Sequence, residues 1–334
     1  MAIVTFIRKA RVLLVVVLLL YVSNAAFLCV YNHHSYEYQA VQLPGDFNTW
    51  YQKKLKASEK AGAIPGTEEK LIRFAPKTEY AILYIHGFGA NRKEGEGLVD
   101  TIAYRTRFNT YYLRLPGHGT TKEDMAGQKF QNYLQEAEEA LQMMQLLGRK
   151  TVIFATSMGG CIATYLAEKY SDSLIHGLVL FSPFYDFAAA AALVFDYPFG
   201  LTLAELVYKG KLRDTRYNNT VKMDKPGYQE YLYEQQYLST VVELNALKNL
   251  VKRSDLSRVK VPVLLFYYYL DEENQDEAAS VAAMKETYSA FTLEPESKLV
   301  RVKDGSHVLA SEYIHSDKKL IAKETLGFIE RLKN

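Results

Sequence analysis

Two cysteines in 334 residues, Cys29 and Cys161, leave no disulfide framework, and neither an H-E-x-x-H run nor a cysteine ligand pair is there to hold zinc. No internal repeat or long low-complexity run occurs. An excess of one charge is also missing. The chain carries 40 Lys and Arg against 38 Asp and Glu, and Arg8, Lys9 and Arg11 precede any acidic residue, so the body is close to neutral. A neutral body argues against nucleic acid as a partner. What is present in quantity is apolar: 49% of residues are hydrophobic, enough for one large α/β domain with an inserted subdomain.

From Val12 to Tyr31 the chain is apolar except for Ser23 and Asn24. Twenty helical residues span about 30 Å, the thickness of a bilayer's hydrocarbon core. The basic cluster before this run, and the absence of Lys or Arg until Lys53, predict a single-pass signal anchor with a cytoplasmic amino terminus and the body across the membrane. Ser23 and Ala25 give the competing reading of a cleaved signal peptide, which would leave a secreted or periplasmic protein; the apolar residues that continue through Val30 favour retention.

Tyr31 to about Gly66 is polar and aromatic and reads as a connector or edge strand. Beyond Leu71, short apolar runs at Tyr80 to Ile85, Thr110 to Leu115, Val152 to Ala155, Gly177 to Phe181, Val261 to Tyr267 and Leu299 to Val302 predict buried strands of a parallel sheet. Phe130, Leu134, Ala137, Leu141 and Met144 recur at helical spacing, with Gly148 as a C-terminal cap. Ile321, Phe328, Ile329 and Leu332 do the same at the carboxyl end, with Ser316 as N-cap. The alternation predicts a mostly parallel, doubly wound α/β fold. Between Pro183 and Arg258 there is no convincing strand but many aromatics, which predicts an inserted helical cap, some of whose aromatics line a pocket.

Thr151-Val-Ile-Phe-Ala-Thr-Ser157-Met-Gly-Gly160 reads as strand, tight turn and helix, with Ser157 held clear of the sheet and Ala155, Gly159 and Gly160 small enough to permit the turn. A serine nucleophile needs a histidine base, an acid that fixes the imidazole tautomer, and backbone N–H groups aimed at the developing oxyanion. His86-Gly-Phe-Gly89 follows a strand and supplies the Phe88 N–H, to which the Met158 N–H adds the second donor. His86 itself reads as a turn-stabilising residue, and His118 as one that hydrogen-bonds within Leu115-Pro-Gly-His-Gly119. His307, just after the last strand, is the candidate base, with His315 its rival. Asp271 follows the preceding strand and is the candidate acid; Asp276 crowds the same loop and Asp186 follows an earlier strand.

H-G-F-G, L-P-G-H-G, x-x-S-M-G-G, V-P-V-L-L followed by Asp, and G-S-H together resemble the α/β-hydrolase family, in the branch of monoacylglycerol lipases and carboxylesterases, from about Ile72 to the end except the cap. The resemblance implies Ser157, Asp271 and His307 as a triad under a helical cap. Family members commonly carry Gly before the acid, where Tyr267, Tyr268 and Tyr269 stand here, so the resemblance leaves open whether Asp271 or Asp276 serves; Ala155 is the second departure. The expected organisation is a cytoplasmic tail at 1–11, an anchor at 12–31, a connector at 32–68, core at 69–182, cap at 183–258 and core at 259–334. The expected activity is cofactor-independent, metal-free serine hydrolysis of carboxylic esters, with a monoacylglycerol or lysolipid among the candidate substrates. Thioester or amide cleavage by the same residues is the alternative, and a catalytically silent binding protein the alternative from another class.

Overall fold

Strands that are apolar on both faces must be covered on both sides, and the six runs read from the sequence lie side by side in one sheet. A computed structural model describes residues 2–171, 173–216 and 221–333; the side chains of residues 2–13, 20 and 25, the Arg8, Lys9 and Arg11 cluster among them, lie outside the described set. The sheet strands are β1 (Lys70–Ile72), β2 (Thr78–Ile85), β3 (Asn109–Leu113), β4 (Gly148–Thr156), β5 (Ile175–Phe181), β8 (Val263–Tyr268) and β9 (Lys298–Val302), in the spatial order β1-β3-β2-β4-β5-β8-β9. All neighbours pair parallel except β1, which lies antiparallel on β3. Parallel pairing brings the carboxyl ends Ile85, Thr156, Phe181, Tyr268 and Val302 to one edge of the sheet, where an open α/β sheet binds its ligands.

Helices α2 (Phe47–Lys60), α5 (Phe130–Met144), α6 (Met158–Tyr170), α8 (Ser239–Lys252) and α9 (Val281–Ala290) cover one face; α3 (Glu96–Thr106) and α10 (Lys318–Lys333) cover the other. The first face has the larger apolar cluster, in which α6 packs between α5 and α8.

Four local expectations change. Helix α2 occupies the middle of the expected connector: Asp46 caps it by accepting from Thr49 N at 2.8 Å, and Phe47 and Trp50 sink into the core, the Trp50 indole donating to Glu139 at 2.7 Å. Gly148 does not cap α5, which ends at Met144 with Gln145 as its C-cap; it opens β4, where a Cβ would lie 2.6 Å from that of Ala81. Ser316 donates to Leu309 O at 2.8 Å, and Asp317 accepts from Leu320 N in the first turn of α10. The insert holds α7 (Gly200–Val207) and the short helix α4 (Lys122–Ala126) lies before α5, but the insert also contains a two-stranded antiparallel ribbon of β6 (Leu212–Asp214) and β7 (Gln235–Tyr237), where no strand was expected.

Helix α1 runs from Ala2 to Tyr31. Its stretch Leu14–Tyr31 has a mean hydropathy of 2.3, is not buried against the protein, and is long and apolar enough to cross a membrane. At its end, the Asn32 side chain donates to Asp196 O at 3.0 Å and accepts from Asn249 at 3.1 Å, which ties the helix to the insert and to α8.

Candidate active site

The turn between β4 and α6 has Ser157 at φ +52°, a left-handed backbone that costs a non-glycine residue about 1–3 kcal/mol. Two hydrogen bonds hold it there: Ser157 N donates to Phe181 O at 3.1 Å, and Phe184 N donates to Ser157 O at 2.9 Å. Gly159 is required because a Cβ would stand 2.2 Å from the Ile85 carbonyl oxygen, where α6 crosses the end of β2. Ala155, beside Ile85 in register and fully buried, is accommodated in the turn with its methyl group.

His307, in the loop after β9, places Nε2 2.9 Å from Ser157 Oγ. Its Nδ1 lies 2.7 and 2.9 Å from the two carboxylate oxygens of Asp276, which is buried. Asp276 Oδ1 also accepts from Ala278 N at 2.9 Å and Ala279 N at 2.8 Å, so the carboxylate is aimed by its own loop. Burial alone would push the imidazole down, but the Asp276 carboxylate, helped by Glu94, outweighs it and leaves His307 above its usual value near 6.5.

Asp271 is not beside His307. It is exposed, and its carboxylate accepts from Asn274 N at 2.9 Å and Glu273 N at 3.1 Å, closing a local turn. The loop after β8 projects from Tyr269 to Gln275, which bridge each other, and then returns so that Asp276 N donates to Tyr268 O at 3.3 Å. The residue at the strand's end in space is therefore eight positions beyond it in sequence. Asp186 is occupied elsewhere by Lys248 and Lys252. His315 is held by Asp224 and Asp304 on the surface, apart from Ser157.

His86 accepts from Leu115 N at 3.1 Å through Nε2 and reaches Gly87 O at 2.8 Å through Nδ1, so it braces one loop against the next. Burial drives its pKa well down, which keeps it neutral. His118 bonds Pro116 O at 3.0 Å within its own loop, as read from the sequence. Between these, Gly87 to Ala90 turns with Gly89 at φ +69°, and a Cβ on Gly87 would lie 3.0 Å from that of Ser157. The amides of Phe88 and Met158 donate to no other backbone group among the described residues. Met158 also opens the 13-residue helix α6, whose positive dipole end favours negative charge.

One residue of this site has no sequence signal. Glu94 stands in the charged run Arg92-Lys93-Glu94-Gly-Glu96, yet it is buried, lines the space beside Ser157 and accepts from Gly87 N at 2.5 Å. Burial raises its carboxyl to about 7, against an ordinary 4.5. A raised acid is neutral in the folded chain while the unfolded chain already ionises, so stability falls as pH climbs from about 4.5 to about 7. Glu94→Gln keeps an acceptor for Gly87 and cannot ionise. Its stability relative to the parent should therefore rise by about 3 kcal/mol between pH 4.5 and pH 8, read from thermal midpoints of the full chain; a pH-independent difference would contradict the buried, titrating carboxyl.

Ser157 and His307 open onto a cavity of about 840 Å³ under the insert, of the size that small-molecule sites occupy. Its walls are mostly apolar. Of the aromatics between Pro183 and Arg258, Phe184, Phe187, Phe195, Tyr208, Tyr228 and Tyr233 line it, whereas Tyr185 is core and bonds Thr164.

A serine at a strained strand-to-helix turn, a histidine after the last strand and a mostly parallel sheet define an α/β hydrolase. The family model described as serine aminopeptidase, S33 (Hydrolase_4) matches residues 76–312, and the chain belongs to that family. It is 26% identical over 276 residues to a thermostable monoacylglycerol lipase of Bacillus sp. (strain H-257), covering 82% of this chain and 98% of that one. Among solved structures, it resembles a metagenome-derived lipolytic enzyme from a study of LipS and LipT (TM-score 0.66, 18% identity, 80% of this chain and 99% of that one). It also resembles a soluble variant of monoglyceride lipase from Saccharomyces cerevisiae in complex with a substrate analogue (TM-score 0.59, 12% identity, 79% and 91%). The chain is a lipase- and esterase-like hydrolase.

Proposed function

We propose that the protein cleaves carboxylic esters of apolar acyl chains through an acyl-enzyme on Ser157, with His307 as base and Asp276 as the acid that orients it. The observation that carries this reading is the Ser157–His307–Asp276 chain of hydrogen bonds, at 2.9 and 2.7 Å, opening onto an apolar cavity. His307 Nε2 takes the hydroxyl proton as Oγ attacks the carbonyl carbon, and the electron pair of the C=O bond moves to oxygen. The Phe88 and Met158 amides receive that oxyanion. His307 then returns the proton to the departing alkoxide. A water, deprotonated in turn by His307, attacks the acyl carbon; as the acyl–Oγ bond breaks, His307 passes that proton to Oγ, releasing the carboxylic acid and free Ser157. Asp276 accepts from Nδ1–H throughout and stabilises the transient imidazolium.

The membrane supplies the substrate in this reading, through a single-pass α1 whose basic amino terminus stays in the cytoplasm. Apolar residues of the insert lie exposed around the cavity, Leu206 by 69% and Val207 by 77%, and the segment carrying Asp196 is bonded to the residue that follows α1. In this reading the exposed apolar residues of the insert are the part of the acyl site turned to the bilayer interface.

A panel of esters of increasing acyl length tests the reading. Each methylene buried contributes about 0.8 kcal/mol, so kcat/KM should climb up to about threefold to fourfold per carbon until the cavity is full. A preference for acetyl esters would overturn the acyl site, and failure to hydrolyse any carboxylic ester would overturn the reaction.

A further inference from the structure

The ribbon in the insert brings a charged group into the cavity. β6 and β7 pair with Arg213 directly opposite Gln236, so these two side chains leave the same face, and that face lines the cavity. Asp214, the next residue, points to the other face, where Arg216 takes it. Arg213 Nη2 donates to Gln236 Oε1 at 2.8 Å, and the guanidinium lies 5.8 Å from the centre of the Phe88 ring. Its Nε is buried without a partner.

No carboxylate among the described residues pairs with Arg213. The acids on the cavity wall are Glu94, which is bonded to Gly87 beside Ser157, and Glu277 next to Asp276. The group that faces the guanidinium electrostatically is the phenol of Tyr208, not a carboxylate. Burial pushes the guanidinium down from its ordinary value, the mark of a cation short of a counter-charge. The ribbon is also docked tightly on the oxyanion loop, since a Cβ on Gly89 would stand 1.9 Å from Gln236 Nε2. A fixed, partly dehydrated guanidinium with a free N–H presents a fork that fits a carboxylate or phosphate.

We infer that this cavity accepts esters that carry an anionic group of their own, a carboxylate or a phosphate, seated on Arg213 with Gln236 beside the oxyanion loop. This rests on the ester-hydrolase reading of Ser157. It deepens that reading by assigning a charged substrate class to a cavity otherwise lined for hydrocarbon. Because the guanidinium lies over the ring of Phe88 at 5.8 Å, and the Phe88 amide serves the scissile carbonyl, the anionic group sits one side chain away from the bond that breaks.

The test compares kcat/KM on the full chain for charged and neutral esters matched in acyl length within each pair: dodecanoylglycerol phosphate against dodecanoylglycerol, and the methyl half-ester of glutaric acid, whose carboxylate lies within a few carbons of the scissile carbonyl, against methyl pentanoate. The first pair places phosphate on the alcohol side and the second places carboxylate on the acyl side, so the arms identify the source of the charge. At least one charged ester should be preferred by about tenfold or more, the usual worth of a hydrogen bond to a charged group. Arg213→Gln should collapse that ratio towards one, whereas Arg213→Lys, which keeps the charge, should preserve part of it. Equal use of charged and neutral esters by the parent, or a preference that survives Arg213→Gln, would overturn the inference while leaving the hydrolase reading in place. Hydrolysis of none of the four would instead fail the reading beneath it.

Discussion

Ser157→Ala should lower kcat for ester hydrolysis on the order of a millionfold, to the residual rate that binding and the two loop amides sustain without a nucleophile. The size of the loss follows from the chemistry. With Oγ removed, no acyl-enzyme forms, and His307 has only water to activate at a position shaped for a side chain. Substrate binding should survive, because the cavity walls from Phe184 to Val241 are untouched, so inhibition by a non-hydrolysable ester analogue should stay within a few fold of the parent. The fold should survive as well, since the two bonds that hold the turn are made by backbone atoms of residue 157. Activity that persists in the folded variant would place the nucleophile elsewhere.

Asp276→Asn should cost about ten-thousandfold in kcat, the loss expected when the group that fixes the imidazole tautomer becomes an amide. The amide can still accept from Ala278 N and Ala279 N, but its NH2 turned to His307 makes Nδ1 the acceptor and puts the ring proton on Nε2, which then cannot receive the serine proton. The pH profile carries a second sign. His307 stands above its ordinary 6.5 because Asp276 overrides the effect of burial, so kcat/KM in the parent should fall as pH drops through that raised value. Without the carboxylate, burial is opposed only by Glu94, and the acid limb of the residual activity should move to lower pH. Asp271→Asn serves as the control. Its carboxylate closes an exposed turn with Asn274, and kinetics within about twofold of the parent are expected. Comparable losses in the two variants would undo the assignment of Asp276.

The strands, the serine turn and His307 were legible because each depends on neighbours in sequence: a β-branched run, then small residues, then helical spacing, or a Gly-Ser-His loop directly after an apolar strand. The carboxylate that lies beside His307 was not, because Asp271 and Asp276 share one polar loop and which of them faces the imidazole follows from the bridge from Tyr269 to Gln275, a feature of how the loop folds back. The ribbon failed to register for a similar reason. Its strands are three residues each and stand more than twenty apart, so neither carries a period of its own. Glu94 and Arg213 look like ordinary surface charges in sequence, and their burial is decided by Gly87 and by Gln236 and Phe88, partners brought in by tertiary structure. Helix α2 had a readable signal, Asp46 before Phe47-Asn-Thr-Trp50, hidden by the surrounding polar and aromatic residues.

The most direct measurement is covalent: the full chain is treated with a fluorophosphonate and the modified peptide identified by mass. One adduct per chain, on Ser157, abolished by denaturation before treatment and by His307→Ala, is the result this account requires. A folded chain that hydrolyses esters but carries the adduct on another residue, or none, would contradict it.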